Sequence, residues 1–298
     1  MPDTTPTAPA AMHLAIALGS SFLGFPTHHG FLREFITSGW RPASISGCSA
    51  GAIVAGFYAA GISLETMEST FTRTDIAGRF HEWLTPLRGL GTILGLPGMP
   101  AVFIADKLRD LIVEIVGDRR IEDCTTSRLA IAVTNLRTSR VEMRTTGPLA
   151  ETIMASCALP GVIAPRRIEG ELLWDGGLGS SVPVDPWVED PAITHLAAHS
   201  ILHTAQVRAR ERTHRFNFPT AMLAGHQITA DELLLWKLKL ARQLGKTAAT
   251  VETLTDRPRI GIPITLPPKK PWPDYSRDLM DAGAASARQL IAELAATV

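Results

Sequence analysis

Residues 44–58 read SISGCSAGAIVAGFY, and this stretch decides the fold expected for the chain. A short β-like run over residues 44–46 comes first, and an apolar helix-like run to residue 60 follows. Between them, Gly47–Gly51 form a GxSxG pentapeptide centred on Ser49. A serine at a sharp strand-to-helix turn is a nucleophile elbow. Gly47 and Gly51 fit such a turn, because it brings backbone segments too close for a Cβ atom. The pattern predicts Ser49 as a nucleophile at a helix N-terminus, where backbone N–H groups favour negative charge.

The bulk composition indicates an ordinary globular α/β domain. The chain has 298 residues, 45% hydrophobic and 19% charged, which is enough to bury a large core. Its 29 basic and 29 acidic residues cancel, which argues against a nucleic-acid partner. The three cysteines are odd in number and widely spaced, so they predict neither a disulfide framework nor a metal site. That usage fits a reducing cytosol, and a cytoplasmic location is expected.

The domain organisation predicted from the sequence is simple. Residues 1–11 are rich in Pro, Thr and Ala and are expected to form a flexible tail rather than a secretory signal. Residues 12–298 are expected to form a single domain, with core motifs over 12–186 and a looser helical part over 200–298. No apolar run reaches the length of a membrane span. Peripheral contact with lipid stays open, although the basic apolar run at 233–242 is better interpreted as a surface helix with snorkelling lysines.

Strand-like and helix-like runs alternate, which predicts an α/β fold with a mostly parallel sheet. The predicted strands are 12–18, 44–46, 129–135, 140–144, 172–174 and 193–198. The predicted helices include 27–38, 105–116, 148–157, 205–215, 230–250 and 275–295. Residues 71–102 look irregular and apolar, which is typical of a functional loop such as a lid or a binding loop.

A serine nucleophile needs a base, and two kinds of partner follow Ser49. Histidines occur downstream at positions 195, 199, 203, 214 and 226. A Ser-Asp-His elbow normally follows several strands, however, and only two strand-like runs precede Ser49. Asp175 is the better candidate, because it ends a predicted strand and is followed by Gly176 and Gly177, which permit a tight turn. Its strand end is expected at the edge of the parallel sheet where α/β sites assemble. Such a general base typically contributes roughly 10²–10⁴-fold in rate.

The loop after the first strand is the candidate oxyanion hole. Residues 19–24 read GSSFLG and are expected at the same sheet edge as the elbow. The predicted backbone donors are Gly19, Ser20, Ser21 and Ala50, the last being the residue after the nucleophile. Loss of one such donor typically costs on the order of 10²–10³ in rate.

Four segments together resemble the bacterial patatin-like phospholipases. They are Ala17–Ser20 with His28 and Gly30 downstream, Gly47–Gly51, Ala155–Gly161, and Asp175–Gly177 followed by Val182–Val184. The resemblance implies a three-layer α/β/α fold, a Ser49–Asp175 dyad that hydrolyses acyl esters, and no metal or organic cofactor. The first loop departs from the family pattern, because Ser21 replaces a glycine and the arginine position falls at Gly24 or Phe25.

Lipid or another carboxylic ester is therefore the expected substrate, and the oligomeric state is not predicted. Two alternatives use the same residues differently: an acyltransferase with an alcohol or thiol acceptor, and a weakly active lipid-binding or regulatory protein. The altered first loop is the support for the second alternative. A histidine-based triad would require an imidazole within hydrogen-bond reach of Ser49.

Overall fold

A computed structural model describes residues 13–76, 79, 85–203, 218–255 and 270–296. The strands are β1 (Leu14–Leu18), β2 (Ser44–Gly47), β3 (Ala101–Phe103), β4 (Arg128–Asn135), β5 (Arg140–Arg144), β6 (Gly161–Ile163), β7 (Arg166–Ile168), β8 (Glu171–Asp175), β9 (His195–His203) and β10 (Thr247–Thr255). The helices are α1 (Phe25–Thr37), α2 (Ala50–Ala59), α3 (Leu64–Phe71), α4 (Thr85–Ile93), α5 (Asp106–Val116), α6 (Leu149–Ser156), α7 (Asp185–Val188), α8 (Phe218–Gln243) and α9 (Trp272–Ala296).

An eight-stranded sheet has the order β10-β9-β1-β2-β4-β8-β7, with β5 also paired to β4. The strands from β10 to β4 run parallel to one another. Strands β5 and β8 run antiparallel to β4, and β7 runs antiparallel to β8. A separate parallel pair joins β3 to β6. The mostly parallel sheet predicted from the sequence is confirmed, with an antiparallel edge.

Helices cover both faces of the sheet, and β1 shows why. All five residues of β1 are buried, as expected for a central parallel strand. Leu14, Ile16 and Leu18 point into the larger core, which contains residues of α1, α2 and α9. Ala15 and Ala17 point into a second core with residues of α7 and α8. This three-layer α/β/α arrangement confirms the expected fold.

Two long helices on one face touch through their backbones. A Cβ added at Gly30 in α1 would lie 1.9 Å from the carbonyl oxygen of Met280, and one at Gly283 in α9 would lie 2.0 Å from that of Thr27. Both positions require glycine for this approach. The glycine pair fixes α9 against the helix that follows the first loop.

The structure corrects several predicted elements. Residues 71–102, expected to be irregular, contain α4 and the start of β3. The helix predicted over 230–250 ends at Gln243, because Gly245 turns the chain at φ 84° and the β-branched run after it forms β10. Strands β6 and β7 were not predicted. The helix predicted at 205–215 and the tail predicted at 1–11 lie outside the described residues. In the described part of the chain, no helix has the length and hydropathy of a membrane span.

Candidate active site

Ser49 occupies a strained turn between β2 and α2. Its backbone has φ 53° and ψ −117°, a region that non-glycine residues rarely adopt. A Cβ at Gly47 would lie 2.3 Å from the Gly51 carbonyl oxygen, and one at Gly51 would lie 2.2 Å from the Leu18 carbonyl oxygen. The turn thus packs directly on the end of β1, and only glycine fits on either side of Ser49.

Ser156 holds the backbone of this turn. The Ser49 N–H donates to Ser156 Oγ at 2.9 Å, and the Ser156 hydroxyl donates to the Ala132 carbonyl at 2.7 Å. Ser156 is fully buried at the end of α6. Sequence reasoning did not assign this role, although Ser156 lies in one of the four segments that carry the family resemblance. No local pattern reveals a hydroxyl that accepts from a residue 107 positions away.

Asp175 lies at the end of β8 and is 1% exposed. Its Oδ1 accepts from the Gly177 N–H at 2.8 Å and from the Cys48 thiol at 3.4 Å. A Cβ at Gly176 would lie 2.5 Å from the Ala132 carbonyl, so the turn after Asp175 packs closely on β4. Charge-assisted bonds from a backbone N–H are among the stronger ones in proteins, so the carboxylate is held in a fixed place.

The strand that ends at Asp175 does not run in the direction expected from the sequence. The sequence interpretation placed its strand end at the carboxyl edge of a parallel sheet, whereas β8 runs antiparallel to β4 and pairs Asp175 with Val133. On β2, Gly47 pairs with Ile131, two residues earlier on β4. Ser49, two residues after Gly47, and Asp175, at the end of β8, therefore lie at the same level along β4. The two residues approach each other from the strands on either side of β4.

Two buried thiols, those of Cys48 and Cys157, lie next to Ser49 and Asp175. Burial, and then the charge on Asp175, raise the pKa of the Cys48 thiol well above its usual value. Burial and the Asp175 charge also raise the pKa of Cys157, against the opposing effect of a hydrogen bond with the Ser49 side chain. Cys157 thus forms a hydrogen bond with the Ser49 side chain and lies close enough to Asp175 to be affected by its charge. Both thiols stay neutral, so neither is an activated nucleophile.

One pocket opens over the elbow, and its outline spans about 510 Å³ including space that is open to solvent. Its polar lining comes from Ser20, Ser21, Ser49 and Asp175. The remaining lining is largely apolar and is formed by Phe22, Leu23, Phe25, Ala50, Ile53, Leu108, Cys157, Leu159, Val162 and Ile163. A few convergent polar groups at one part of an apolar pocket are typical of a small-molecule site. The geometry suits a carbonyl centre attached to a hydrocarbon chain.

The first loop differs from its predicted role at two of the expected oxyanion donors. The Gly19 N–H donates to the His199 carbonyl at 2.9 Å, and the Ser20 N–H donates to the Ser181 carbonyl at 2.7 Å. These amides are therefore used within the protein and do not point at a substrate oxygen. Ser21 is buried and lines the pocket, and Ala50 begins α2, where a backbone N–H has no acceptor within the helix.

The positions at which the resemblance expects an arginine have no space for one. A Cβ at Gly24 would lie 2.6 Å from Ser21 Oγ and 2.7 Å from Ile201 Cδ1. Phe25 is buried, and its ring packs 5.0 Å from that of Phe71. The loop is therefore anchored by apolar packing at the point where the family pattern has a cation.

Other candidate groups lie away from the pocket. The rings of His28 and His199 are fully buried and bond to each other, and none of the described histidines lines the pocket. His203, His214 and His226 lie among residues whose side chains are not described. Across the described ranges, no group of His, Cys, Asp or Glu side chains is arranged to hold a metal ion.

Comparison with known proteins identifies the family to which these motifs belong. The sequence profile of the family described as Patatin-like phospholipase matches residues 17–188. An uncharacterized NTE family protein of Mycobacterium tuberculosis is 35% identical over 191 residues, which cover 60% of this chain and 49% of that protein. The chain thus spans about half the length of the first curated relatives it matches. Lysophospholipase NTE1 of Cryptococcus neoformans is 27% identical over 179 residues, 59% of this chain and 10% of that protein.

A solved structure shows the same fold. The crystal structure of VipD from Legionella pneumophila aligns with a TM-score of 0.52 and 14% identity, over 96% of this chain and 67% of that one. At this identity the likeness concerns the fold alone. The sequence match covers more than half of the chain and includes both Ser49 and Asp175. The chain therefore belongs to the patatin-like phospholipase family.

Proposed function

We propose that this chain is a serine acyl hydrolase that cleaves lipid or other carboxylic esters through Ser49 and Asp175. The observation that carries the proposal is the shared pocket: a strained serine and a buried, hydrogen-bonded carboxylate both line an apolar cavity. Membership of a family of phospholipases supports the lipid class of substrate.

The proposed reaction begins with attack of Ser49 Oγ on the ester carbonyl, while the Asp175 carboxylate accepts the hydroxyl proton. The tetrahedral intermediate then collapses, and the alcohol leaves with that proton. Water next attacks the acyl-enzyme while Asp175 accepts its proton, and Asp175 returns that proton to Ser49 Oγ as the acid leaves. Gly177 and Cys48 hold the carboxylate throughout, because both donate to the oxygen Oδ1.

The proposed oxyanion donors differ in part from those expected from the sequence. The Ala50 N–H stands at the first position of α2, so it adds the positive end of the helix dipole to its own hydrogen bond. Ser21 supplies the second N–H from the loop that lines the pocket. Gly19 and Ser20 act one step further away, by holding that loop through their bonds to His199 and Ser181.

The apolar part of the pocket is proposed to hold the acyl chain. Leu108, Leu159 and Val162 come from different elements and supply hydrocarbon surface without charge. Each buried methylene of a substrate is worth about 0.8 kcal/mol. A series of nitrophenyl esters should therefore show KM falling by up to about 15-fold for each pair of added methylenes until the pocket is filled.

Substitution of the two proposed catalytic side chains tests the chemistry. We expect Ser49→Ala and Asp175→Asn each to lower turnover of a short nitrophenyl ester by at least about 10³-fold, because each removes a group that touches the reacting atoms. Labelling with a fluorophosphonate should disappear in Ser49→Ala. Circular dichroism and the urea midpoint would establish that each variant is folded.

Ser127→Ala is the matched control. Ser127 is a buried serine whose hydroxyl has no described hydrogen-bond partner, and it precedes β4 at the edge of the sheet opposite Ser49. Its loss should leave turnover unchanged. Wild-type rates in a folded Ser49→Ala or Asp175→Asn protein would refute the dyad.

A further inference from the structure

A continuous polar chain, buried except at its last member, starts at the first loop and ends in helix α9. His28 Nε2 lies 2.8 Å from the Gly19 carbonyl oxygen, and His28 Nδ1 lies 2.9 Å from His199 Nδ1. His199 Nε2 lies 2.8 Å from Thr253 Oγ1, which lies 2.7 Å from Ser286 Oγ. Both imidazoles are fully buried. The chain thus joins α1, β9, β10 and α9 at the back of the loop.

The proton positions in this chain follow from its fixed end. A carbonyl oxygen only accepts, so His28 must carry its proton on Nε2 and donate it to Gly19. Neutral His28 then accepts at Nδ1, and His199 donates from its own Nδ1. Burial lowers the pKa of His28 to about 3 and that of His199 well below its usual value, so both rings stay neutral. The ring of Phe31 stacks on His199 at 4.0 Å and holds its plane.

The peptide between Gly19 and Ser20 is held from two sides. His28 donates to the carbonyl oxygen of this peptide. The N–H of the same peptide, which belongs to Ser20, donates to the Ser181 carbonyl oxygen. The Gly19 carbonyl also faces the elbow, since a Cβ at Gly51 would lie 2.8 Å from its oxygen. Rotation of this peptide would therefore move the next amide, that of Ser21, relative to Ser49.

We propose that His28 and His199 are positioning residues that lock the Gly19–Ser20 peptide and so set the loop that faces the reacting carbonyl. The inference rests on the proposed function and adds parts of the chain beyond residue 188, where the family match ends. The histidines do not relay protons to Ser49. Their chain terminates on a carbonyl oxygen, which has no proton to pass on.

The decisive comparison is between His28→Leu, which removes the hydrogen-bond donor to Gly19, and His28→Gln, which keeps a donor. We expect His28→Leu to lower kcat for a short nitrophenyl ester about 10-fold or more, with KM changed less than about 3-fold, because loop geometry matters in the transition state. His28→Gln should recover most of kcat, since its side-chain N–H₂ can donate to Gly19. A purely structural role would not produce rescue by the donor.

His29→Leu is the matched control on the same helix. His29 is equally buried, but its ring nitrogens have no described hydrogen-bond partner, so kcat should stay at the wild-type value. Thr253→Val provides a milder second variant if His28→Leu does not fold. It breaks the chain one step beyond His199, and we expect kcat to fall about 2- to 5-fold.

The outcomes separate this inference from the proposed function. An inactive wild-type protein that is not labelled at Ser49 would defeat the proposed function itself. Wild-type kcat in folded His28→Leu or Thr253→Val, or equal losses in His28→Leu and His28→Gln, would overturn the positioning role while leaving the dyad intact. A rise in KM with unchanged kcat would also contradict it, because such a change reports ground-state binding.

Discussion

Ser49 holds a backbone conformation that costs on the order of 1–3 kcal/mol in free energy, so neighbouring residues must enforce it. Gly47 and Gly51 permit the close approach of the turn to itself and to β1. Ser156 fixes the Ser49 N–H, and the Cys48 N–H donates to the Leu18 carbonyl at 3.0 Å. Strain at Ser49, the proposed nucleophile, is thus enforced by the surrounding backbone, which leaves the hydroxyl available for the proposed chemistry.

Removal of the Ser156 hydroxyl tests this enforcement. In Ser156→Ala the Ser49 N–H loses its acceptor in a buried site, which should lower the free energy of unfolding by about 1–3 kcal/mol. We also expect kcat to fall about 10-fold, because the turn is then free to relax away from the productive geometry. Urea unfolding and ester turnover measure the two effects, with Ser127→Ala as the control. Unchanged kcat would mean that the turn is held without Ser156.

At the scale of elements, α1 and α9 form a close helix pair. Their contact depends on Gly30 and Gly283, whose missing side chains let each backbone touch the other helix. The same contact sets the position of α1, which carries His28. A helix distant in sequence from the elbow therefore supports the loop beside it.

Gly283→Ala should separate these helices. Because the added methyl would meet the Thr27 carbonyl at 2.0 Å, we expect a loss of about 1–3 kcal/mol in the free energy of unfolding, measured by urea. Helix propensity alone would favour alanine, so it predicts the opposite sign. Ala285→Gly, at an exposed position two residues further along α9, gives the ordinary propensity effect for comparison. Increased stability of Gly283→Ala would contradict the close contact.

At the scale of the whole molecule, buried neutral histidines link stability to pH. Burial lowers the pKa of His28 to about 3 and that of His29 to about 4, and it also lowers that of His199. In the unfolded chain these groups titrate near pH 6.5. Below that pH the unfolded state binds more protons than the folded state, so protonation favours unfolding. The stabilising contribution is complete above pH 6.5 and is lost as the pH falls toward the folded-state pKa values.

We expect the free energy of unfolding to change little through these groups between pH 8 and 7, and to fall between pH 6 and 5. Each histidine contributes up to about 1.4 kcal/mol per pH unit in the lower range. His29→Leu should reduce the slope of the unfolding free energy against pH by the amount that corresponds to uptake of about one proton. Urea unfolding at each pH measures the effect, and an equal slope in His29→Leu and wild type would show that His29 titrates normally.

The parts of this fold that the sequence predicts are those with a local signature. The elbow and the turn after Asp175 are marked by glycines within a few residues, and β1 is marked by an unbroken apolar run. The direction of β8 and the existence of β10 have no such signature, because both depend on pairing with distant strands. The bonds that occupy the amides of Gly19 and Ser20 depend on residues more than 160 positions away, which no motif in the first loop indicates.

The position of β1 has a consequence for the order in which the protein becomes competent. This strand lies between β2, which follows it closely in the chain, and β9, which begins at His195. During synthesis, the carbonyl that accepts from Gly19 emerges from the ribosome long after the elbow does. Contacts of such long sequence separation form late in folding. A nascent chain would thus carry Ser49, the proposed nucleophile, without a formed loop beside it while the residues between Gly51 and His199 are synthesised.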